Sequence, residues 1–282
     1  MTESGSLYIT ATPIGNLEDI TLRALRILGE VDLIAAEDTR HTRKLLTHFD
    51  IKTPLISYYR EKEAERSKQL VSRLLNGESI ALVSDAGTPG ISDPGAVLVT
   101  EARRARIPII PLPGASAIAT ALSVAGIKES PFHFLGFAPA KKSQRRALLT
   151  SLKDSITPLI FYESPRRIKS LLSDILHIMG DRNGFWAREL TKVHEDLQAG
   201  TISALLALAS SKNNKGEFVL IVHPGKIIHA EGENLTELLL WYRDNSSLSL
   251  KDVSRKLASD LGLSKSVVYS EALDIFKKKA DK

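Results

Sequence analysis

The residues best suited to hold a polar ligand form one loop in the first third of the chain. It runs from Ser84 to Gly95 and combines three glycines with two aspartates, two serines and a threonine. Glycine lets the backbone approach a ligand closely, while carboxylates and hydroxyls bind polar groups. The composition predicts a loop that can wrap a nucleoside, with a long structural turn as the alternative interpretation.

Two further segments place polar groups where a predicted strand turns into a predicted helix. Residues 113–117 (PGASA) lead into a helix rich in small residues, whose first backbone amides can face a ligand. In residues 161–167 (FYESPRR), Ser164 is a plausible helix N-cap and Pro165 occupies the first helical position. Capping does not explain Glu163 or the paired arginines, which therefore stay candidates for function.

Short apolar segments precede these loops and predict the strands that position them. Amphipathic segments lie between them, which gives an alternation of strands and helices. Such alternation predicts a largely parallel sheet, in which ligands bind at the carboxyl ends of the strands. The predicted strands are 7–11, 31–36, 79–84, 107–112, 132–135, 158–162 and 218–222.

The alternation pauses near residues 126–131, which predicts a domain boundary. The expected fold class is α/β, with an N-terminal α/β domain at 1–126 and a second α/β domain at 127–230. Residues 234–282 lack strand signals and are expected to form a small helical module.

The helical module has the pattern of a helix-turn-helix. Residues 249–252 form a capping-box-like start, Gly262 supplies a turn and Ser264 caps a second helix. In many such motifs the second helix contacts nucleic acid, but the same arrangement also serves plain packing. Lys265 and the lysines at 277–279 favour nucleic-acid contact, and both interpretations stay open.

The composition argues against several classes of chemistry. The chain has no cysteine, and its seven histidines are not paired at metal-ligand spacing, so we expect no disulfide and no bound metal. No stretch approaches the roughly 18 apolar residues of a transmembrane helix, and the N-terminus is too polar for a signal peptide. We therefore expect a soluble cytoplasmic protein, whose net charge of +5 is compatible with an anionic partner.

Three common motifs are missing from the sequence. The first predicted turn has a single glycine, Gly15, where a dinucleotide-binding strand would show three. The chain also lacks a P-loop and a nucleophile elbow. These absences disfavour NAD, P-loop nucleotide and α/β-hydrolase chemistry.

Five motifs together resemble the tetrapyrrole-methylase superfamily, and most closely its members that methylate ribosomal RNA. The resemblance covers about residues 6–224. It implies two α/β domains with S-adenosylmethionine bound in the cleft between them, usually in a homodimer. The motifs are 11–16 (ATPIGN), 36–40 (AEDTR), the 84–95 loop, 113–117 and 162–167.

The resemblance also implies which residues hold the cofactor. The loop after the third predicted strand would lie along S-adenosylmethionine, and the 113–117 segment would lie beside its methionine or ribose portion. The 162–167 segment would close the site from the second domain. The residues at the matching positions are Asp85, Ala86, Gly87, Thr88, Ser116, Ala117, Tyr162 and Glu163.

The implied substrate is the ribose 2′-hydroxyl of a cytidine in the decoding region of 16S rRNA, within the small ribosomal subunit. Methyl transfer from a sulfonium is an in-line displacement, and a hydroxyl is a poor nucleophile unless a base takes its proton. Asp38, Glu189 and Lys192 are the catalytic candidates. Glu37 and Glu163 are further loop carboxylates, and the sequence does not choose among the five.

Basic clusters near the predicted strand ends indicate RNA binding, because lysine and arginine neutralise phosphates.

The turn at 13–16 is less glycine-rich than in porphyrin-methylating relatives, which argues against a tetrapyrrole substrate. Two alternatives stay open, a small-molecule methyltransferase on the same scaffold and a non-catalytic regulator that binds nucleic acid. The candidate substrate-binding residues are Pro13, Asn16, Arg40, Lys141, Lys142, Arg166 and Arg167.

Overall fold

The computed structural model describes most of the chain. Its residues form two compact units, 1–223 and 224–282. The described part of the first unit contains two five-stranded sheets, and the described part of the second contains three helices. The described residues are 4–127, 131–211, 215–225, 235–246, 248–261 and 263–277.

The first sheet is entirely parallel, with strand order β3-β2-β4-β1-β5. Its connections contain four α-helices, and short 3₁₀ helices cover Leu17–Asp19 and Arg60–Lys62. The strands are β1 (Leu7–Thr10), β2 (Leu33–Ala36), β3 (Leu55–Ser57), β4 (Ile80–Val83) and β5 (Ile109–Leu112). The helices are α1 (Leu22–Glu30), α2 (Thr39–His48), α3 (Glu63–Leu75) and α4 (Ala96–Arg104).

The helices of the first sheet divide between its two faces. Successive strand residues point to opposite faces, so Leu82 of β4 packs with α3 and α4 while its neighbour Val83 packs with α1 and α2. Both strand faces are apolar because both are covered. The carboxyl ends of all five strands therefore open at one edge, which is free to carry a site.

The second sheet has strand order β6-β7-β10-β8-β9 and is mostly antiparallel. The expectation of a largely parallel arrangement holds for the first sheet but is wrong here, where only β6 and β7 are parallel. The strands are β6 (His133–Phe137), β7 (Leu159–Glu163), β8 (Asn183–Arg188), β9 (Asp196–Thr201) and β10 (Phe218–Val222).

Helices cover both faces of the second sheet. One face packs against three helices around Phe161, Trp186 and Leu220, and the other packs against α5 through Ala121. Helix α5 thus joins the second sheet although it follows the last strand of the first. The domain limits at 1–126 and 127–230 stay a prediction. The helices are α5 (Ala117–Val124), α6 (Lys142–Ser151), α7 (Ile168–Met179) and α8 (Ile202–Ser211).

The second unit has its own apolar core. It consists of α9 (Leu235–Asn245), α10 (Leu250–Asp260) and α11 (Lys265–Lys277), packed around Leu239, Val253 and Val268. As the capping pattern predicted, Ser249 caps α10 by accepting from the Asp252 amide at 3.2 Å. Gly232, Gly262, Lys278 and Lys279 lie outside the described residues.

Within the described ranges, no helix has the length and hydropathy that crossing a bilayer requires. The same ranges contain no cluster of histidine, aspartate and glutamate that could hold a metal ion.

Candidate active site

A cavity of about 420 Å³ lies between the carboxyl edge of the first sheet and strands of the second. Every strand of the first sheet contributes a residue that follows its carboxyl end, and β6, β7, β8 and β10 contribute the opposite wall. Its size is typical of sites for small molecules and cofactors. All eight predicted cofactor residues line it: Asp85, Ala86, Gly87, Thr88, Ser116, Ala117, Tyr162 and Glu163.

Backbone hydrogen bonds hold the 84–95 loop against the turn after β1. The amides of Thr12 and Gly87 each donate to the other's carbonyl at 2.9 Å. Gly87 has a φ of 77°, a left-handed conformation that favours glycine. Asp85 accepts from the Asp38 amide at 2.9 Å, so the loop is also tied to the start of α2.

Three carboxylates share one wall of the cavity with Arg60. Burial, followed by the charges of Asp93 and Asp85, raises the pKa of Glu37 to about 7. Burial also raises the pKa of Asp93 to about 6, and the charge of Asp85 adds to the rise. Arg60 donates to the carbonyl of Ser92 at 2.9 Å and offsets only part of this charge. This wall therefore favours a ligand with positive charge.

The second sheet supplies an aromatic wall and a buried carboxylate. A bulge at Gly136 brings the half-exposed Phe137 to the cavity, where it meets Tyr162 edge to face at 5.7 Å. Glu163 is 1% exposed and accepts from the Ser164 amide at 2.8 Å through Oε1. Its Oε2 is buried and has no hydrogen-bond partner in the described structure. A residue that lines the cavity thus has a carboxylate oxygen without a hydrogen-bond donor.

A second cavity, of about 690 Å³, adjoins the first. It is lined by the turn after β1, by α2 and by the segment that follows β8. The backbone amide of Asn16 donates to the Thr191 hydroxyl at 3.0 Å, and a side chain at Gly15 would collide with Lys192. The two cavities share six residues: Ile14, Asp85, Ala86, Glu189, Lys192 and Glu217.

An ion pair lies on the wall that the two cavities share. Lys192 Nζ and Glu189 Oε1 are 2.7 Å apart. Burial acts to raise the pKa of Glu189, but the hydrogen bond and charge of Lys192 outweigh it and the pKa is lowered. Glu189 and Thr191 have φ values of 52° and 66°, so this segment holds an unfavourable backbone conformation. Such strain is frequent at functional sites.

Asp38 and Arg40, two other predicted site residues, lie outside the lining of the first cavity. Asp38 caps α2 by accepting from the Arg40 amide at 2.8 Å and pairs with the Arg40 guanidinium at 3.0 Å. These contacts lower the pKa of Asp38 to about 2 and engage its carboxylate as a helix cap. Of the turn residues, Pro13 lines the second cavity, whereas Asn16 caps the 3₁₀ helix.

The predicted basic cluster of the second domain divides into exposed and structural members. Lys141, Lys142 and Arg166 are exposed. Arg167 is half-buried, donates to the Ala138 carbonyl and lies 3.2 Å from Glu163. Arg145 of α6, which follows Lys141 and Lys142 in the sequence, is likewise buried in an ion pair with Asp174.

Several cavity residues were not singled out from the sequence. Arg60 follows β3, a three-residue strand that was not predicted, and Phe137 depends on the bulge in β6. Asp93 lay within the predicted ligand loop but had no assigned role. Glu217 precedes β10, so it lies at the carboxyl edge only because β10 runs antiparallel to its neighbours. A sequence argument restricted to parallel strands could not find it.

Comparison with known proteins decides the family. A family model described as Tetrapyrrole (Corrin/Porphyrin) Methylases matches residues 6–206. The chain belongs to the tetrapyrrole methylase family. The family and the α/β fold class were predicted from the sequence and are confirmed, as is the methyltransferase class.

Two similar proteins carry the name ribosomal RNA small subunit methyltransferase I. One, from Halalkalibacterium halodurans, is 44% identical over 279 residues, or 95% of this chain and 94% of its own. The other, from Vibrio cholerae, is 50% identical over 220 residues, or 77% and 76% of the two chains. Uroporphyrin-III C-methyl transferase from Thermus thermophilus, solved with S-adenyl homocysteine, shares the fold at 15% identity. Its TM-score is 0.56, with 77% of this chain and 97% of that one covered.

Proposed function

We propose that this methylase transfers a methyl group from S-adenosylmethionine to the ribose 2′-hydroxyl of a cytidine in the decoding region of 16S rRNA. The observation that carries the proposal is the pair of adjoining cavities that share the Glu189–Lys192 ion pair. One cavity suits a cationic nucleoside and the other opens beside a basic helix. The names of the related proteins support ribosomal RNA of the small subunit as the substrate.

The first cavity fits S-adenosylmethionine on three counts. The ligand carries a sulfonium and an ammonium against one carboxylate, which suits the acidic wall of Glu37, Asp85 and Asp93. Its amine and hydroxyl donors suit the free Oε2 of Glu163. Its adenine suits apolar and aromatic neighbours such as Phe137. When bound, the cofactor supplies a methyl group activated by a positively charged sulfur.

Glu189 is the best placed of the predicted bases. It reaches the shared wall, whereas the Asp38 carboxylate caps α2 and lines neither cavity. In the proposed reaction Glu189 takes the proton of the 2′-hydroxyl as the oxygen–carbon bond forms and the sulfur–carbon bond breaks. Lys192 holds Glu189 in place and stabilises the negative charge that develops on the attacking oxygen.

The remaining parts of the proposal follow the resemblance. The enzyme acts in the cytoplasm on the small ribosomal subunit, as a homodimer. The alternative of a small-molecule substrate is less favoured, because the second cavity opens beside a basic helix that suits the phosphates of an RNA strand. The alternative of a non-catalytic regulator leaves the two joined cavities without a role.

Methyl transfer in vitro tests the proposal. The purified protein is incubated with S-adenosylmethionine labelled in its methyl group and with small ribosomal subunits from cells that lack the protein. Label should enter 16S rRNA, and Glu189→Gln should lower kcat by about 100-fold or more, the usual contribution of a general base, with cofactor affinity retained. Glu65→Gln, an exposed carboxylate on α3, is the control. If no label enters 16S rRNA, the proposed substrate is wrong. If Glu189→Gln keeps full activity, Glu189 is not the general base.

A further inference from the structure

The exposed face of α2 is strongly basic. The helix contains no aspartate or glutamate, and its positive side chains line a surface depression with Thr47 and His48. Arg40 pairs with its own helix cap, Asp38. Arg43 and Lys44 are exposed and form no ion pair with any described residue. Unpaired, exposed charges on one face suit a polyanion such as an RNA backbone.

The basic face leads directly into the second cavity. Lys44 lines both the depression and the cavity, and His41 and Leu45 continue along the same helix into the cavity wall. Residues 41, 44, 45 and 48 are spaced to share one face of a helix. An RNA strand that runs along α2 therefore reaches the mouth of the second cavity without crossing an acidic helix surface.

The interior of the second cavity suits a nucleotide. Apolar side chains of Ile14, Leu17 and Leu45 line it, and Leu17 is 38% exposed. Thr42 is 2% exposed and also lines it, and its hydroxyl has no hydrogen-bond partner in the described structure. A buried hydroxyl without a partner calls for an explanation, and a polar ligand in the cavity supplies one. The opposite wall is the Glu189–Lys192 pair.

We infer that the second cavity receives the target nucleotide, extruded from its RNA strand, and that Arg43 and Lys44 bind the phosphates beside it. Extrusion is needed because the ribose of a nucleotide whose base is stacked within a helix cannot reach an enclosed reaction centre. Apolar walls contact the base, Thr42 binds one of its polar groups, and the 2′-hydroxyl lies at the shared wall. The inference rests on the proposed function and adds the substrate site that the function requires.

Salt-dependent binding tests the phosphate contacts. The double variant Arg43→Gln/Lys44→Gln is compared with wild type for binding small ribosomal subunits at several potassium chloride concentrations and fixed magnesium. Two lost contacts to single-stranded RNA should reduce the salt slope by about 1.4, since each contributes about 0.7. The control Lys68→Gln/Arg103→Gln removes the same charge from α3 and α4, on the other face of the first sheet. Equal slopes in the two double variants would overturn the phosphate assignment.

Thr42→Val tests the cavity itself and is nearly isosteric. Because its hydroxyl has no protein partner, the variant should fold normally and bind S-adenosylmethionine as wild type does. Its kcat/KM for small ribosomal subunits should fall by about tenfold. Unchanged kcat/KM would overturn the nucleotide site. If wild type binds the cofactor but methylates no rRNA, the proposed function fails. If wild type methylates rRNA, the double variant matches its control and Thr42→Val matches wild type, only this inference fails.

Discussion

At the scale of single residues, Asp85 has two roles that the sequence could not separate. Its Oδ1 accepts from the Asp38 amide and so fixes the loop to the start of α2. The side chain also lines both cavities, where it adds negative charge beside Glu37 and Asp93. The site therefore depends on Asp85 for both position and charge.

Asp85→Ala should weaken S-adenosylmethionine binding by about 1–3 kcal/mol, because a charged acceptor in the cavity is lost. Asp85→Asn keeps an acceptor for the Asp38 amide and should lose less. Isothermal titration calorimetry measures both, with Glu65→Gln as the control. Wild-type affinity for Asp85→Ala would show that this loop does not hold the cofactor.

Cofactor binding should also depend on pH. The pKa values of about 7 for Glu37 and about 6 for Asp93 mean that both groups lose protons as the pH rises from about 5.5 to 8. Carboxylates attract a cationic ligand and neutral acids do not, so affinity should increase over this range and then level off. In Glu37→Gln the increase should be smaller and centred near pH 6. A flat profile for wild type would mean that neither group faces the ligand's positive charge.

The two arginines that close the 162–167 motif should behave differently. Arg167 contacts the Ala138 carbonyl and Glu163, so Arg167→Gln should cost on the order of 2 kcal/mol of unfolding free energy. The exposed Arg166 should instead affect RNA binding, and Arg166→Gln should reduce the salt slope by about 0.7–0.9. Urea denaturation and salt-dependent binding separate the two. Equal stability of the two variants would contradict the structural role of Arg167.

At the scale of secondary-structure elements, the sequence predicted what periodicity and composition determine. All seven predicted strands are present, because each is an apolar segment next to a clear turn. Strands β3, β8 and β9 were missed. Residues 183–188 (NGFWAR) have no regular alternation, and residues 196–201 (DLQAGT) form an edge strand that is only partly buried. Within the described sheet, strand β9 is held by β8 alone, and β8 also pairs with β10, so both strands depend on pairing that local patterns do not encode.

The candidate site was predicted to a similar extent. Its loops follow strands and were located through glycine and acidic residues, so the eight cofactor candidates line one cavity. The electrostatic partners were harder to predict, because Arg60 and Glu217 come from other segments. Asp38 was a reasonable candidate by residue type, but its helix cap is visible only in the folded chain.

The C-terminal helices allow a test of element independence. Their core contains only residues from 235 to 276, including Leu238 and Leu239, whereas the cores of the two sheets contain none of them. A protein truncated after Gly232 should therefore fold and bind S-adenosylmethionine with wild-type affinity. If the helices contact RNA, KM for ribosomal subunits should rise with kcat changed less. Unchanged kinetics would assign the helices to packing or dimerisation, and an unfolded product would contradict the separate core.

At the scale of the whole molecule, the two sheets give the protein two cavities with one shared wall. The loops that follow the parallel strands of the first sheet supply the acidic pocket, and the segment after β8 supplies the Glu189–Lys192 pair. Helix α2 adds a basic surface at the entrance to the second cavity. Under the proposed function, this arrangement separates the cationic methyl donor from the anionic RNA acceptor, and the two meet at the shared wall.

The most direct measurement of the central claim is a map of ribose methylation on 16S rRNA from cells that lack the protein. We predict that one 2′-O-methylated cytidine in the decoding region disappears, while other modifications are retained. Wild-type protein supplied from a plasmid should restore the methyl group, and Asp85→Ala at an equal protein level should restore it poorly. An unchanged ribose-methylation map in the deletion strain would contradict the account.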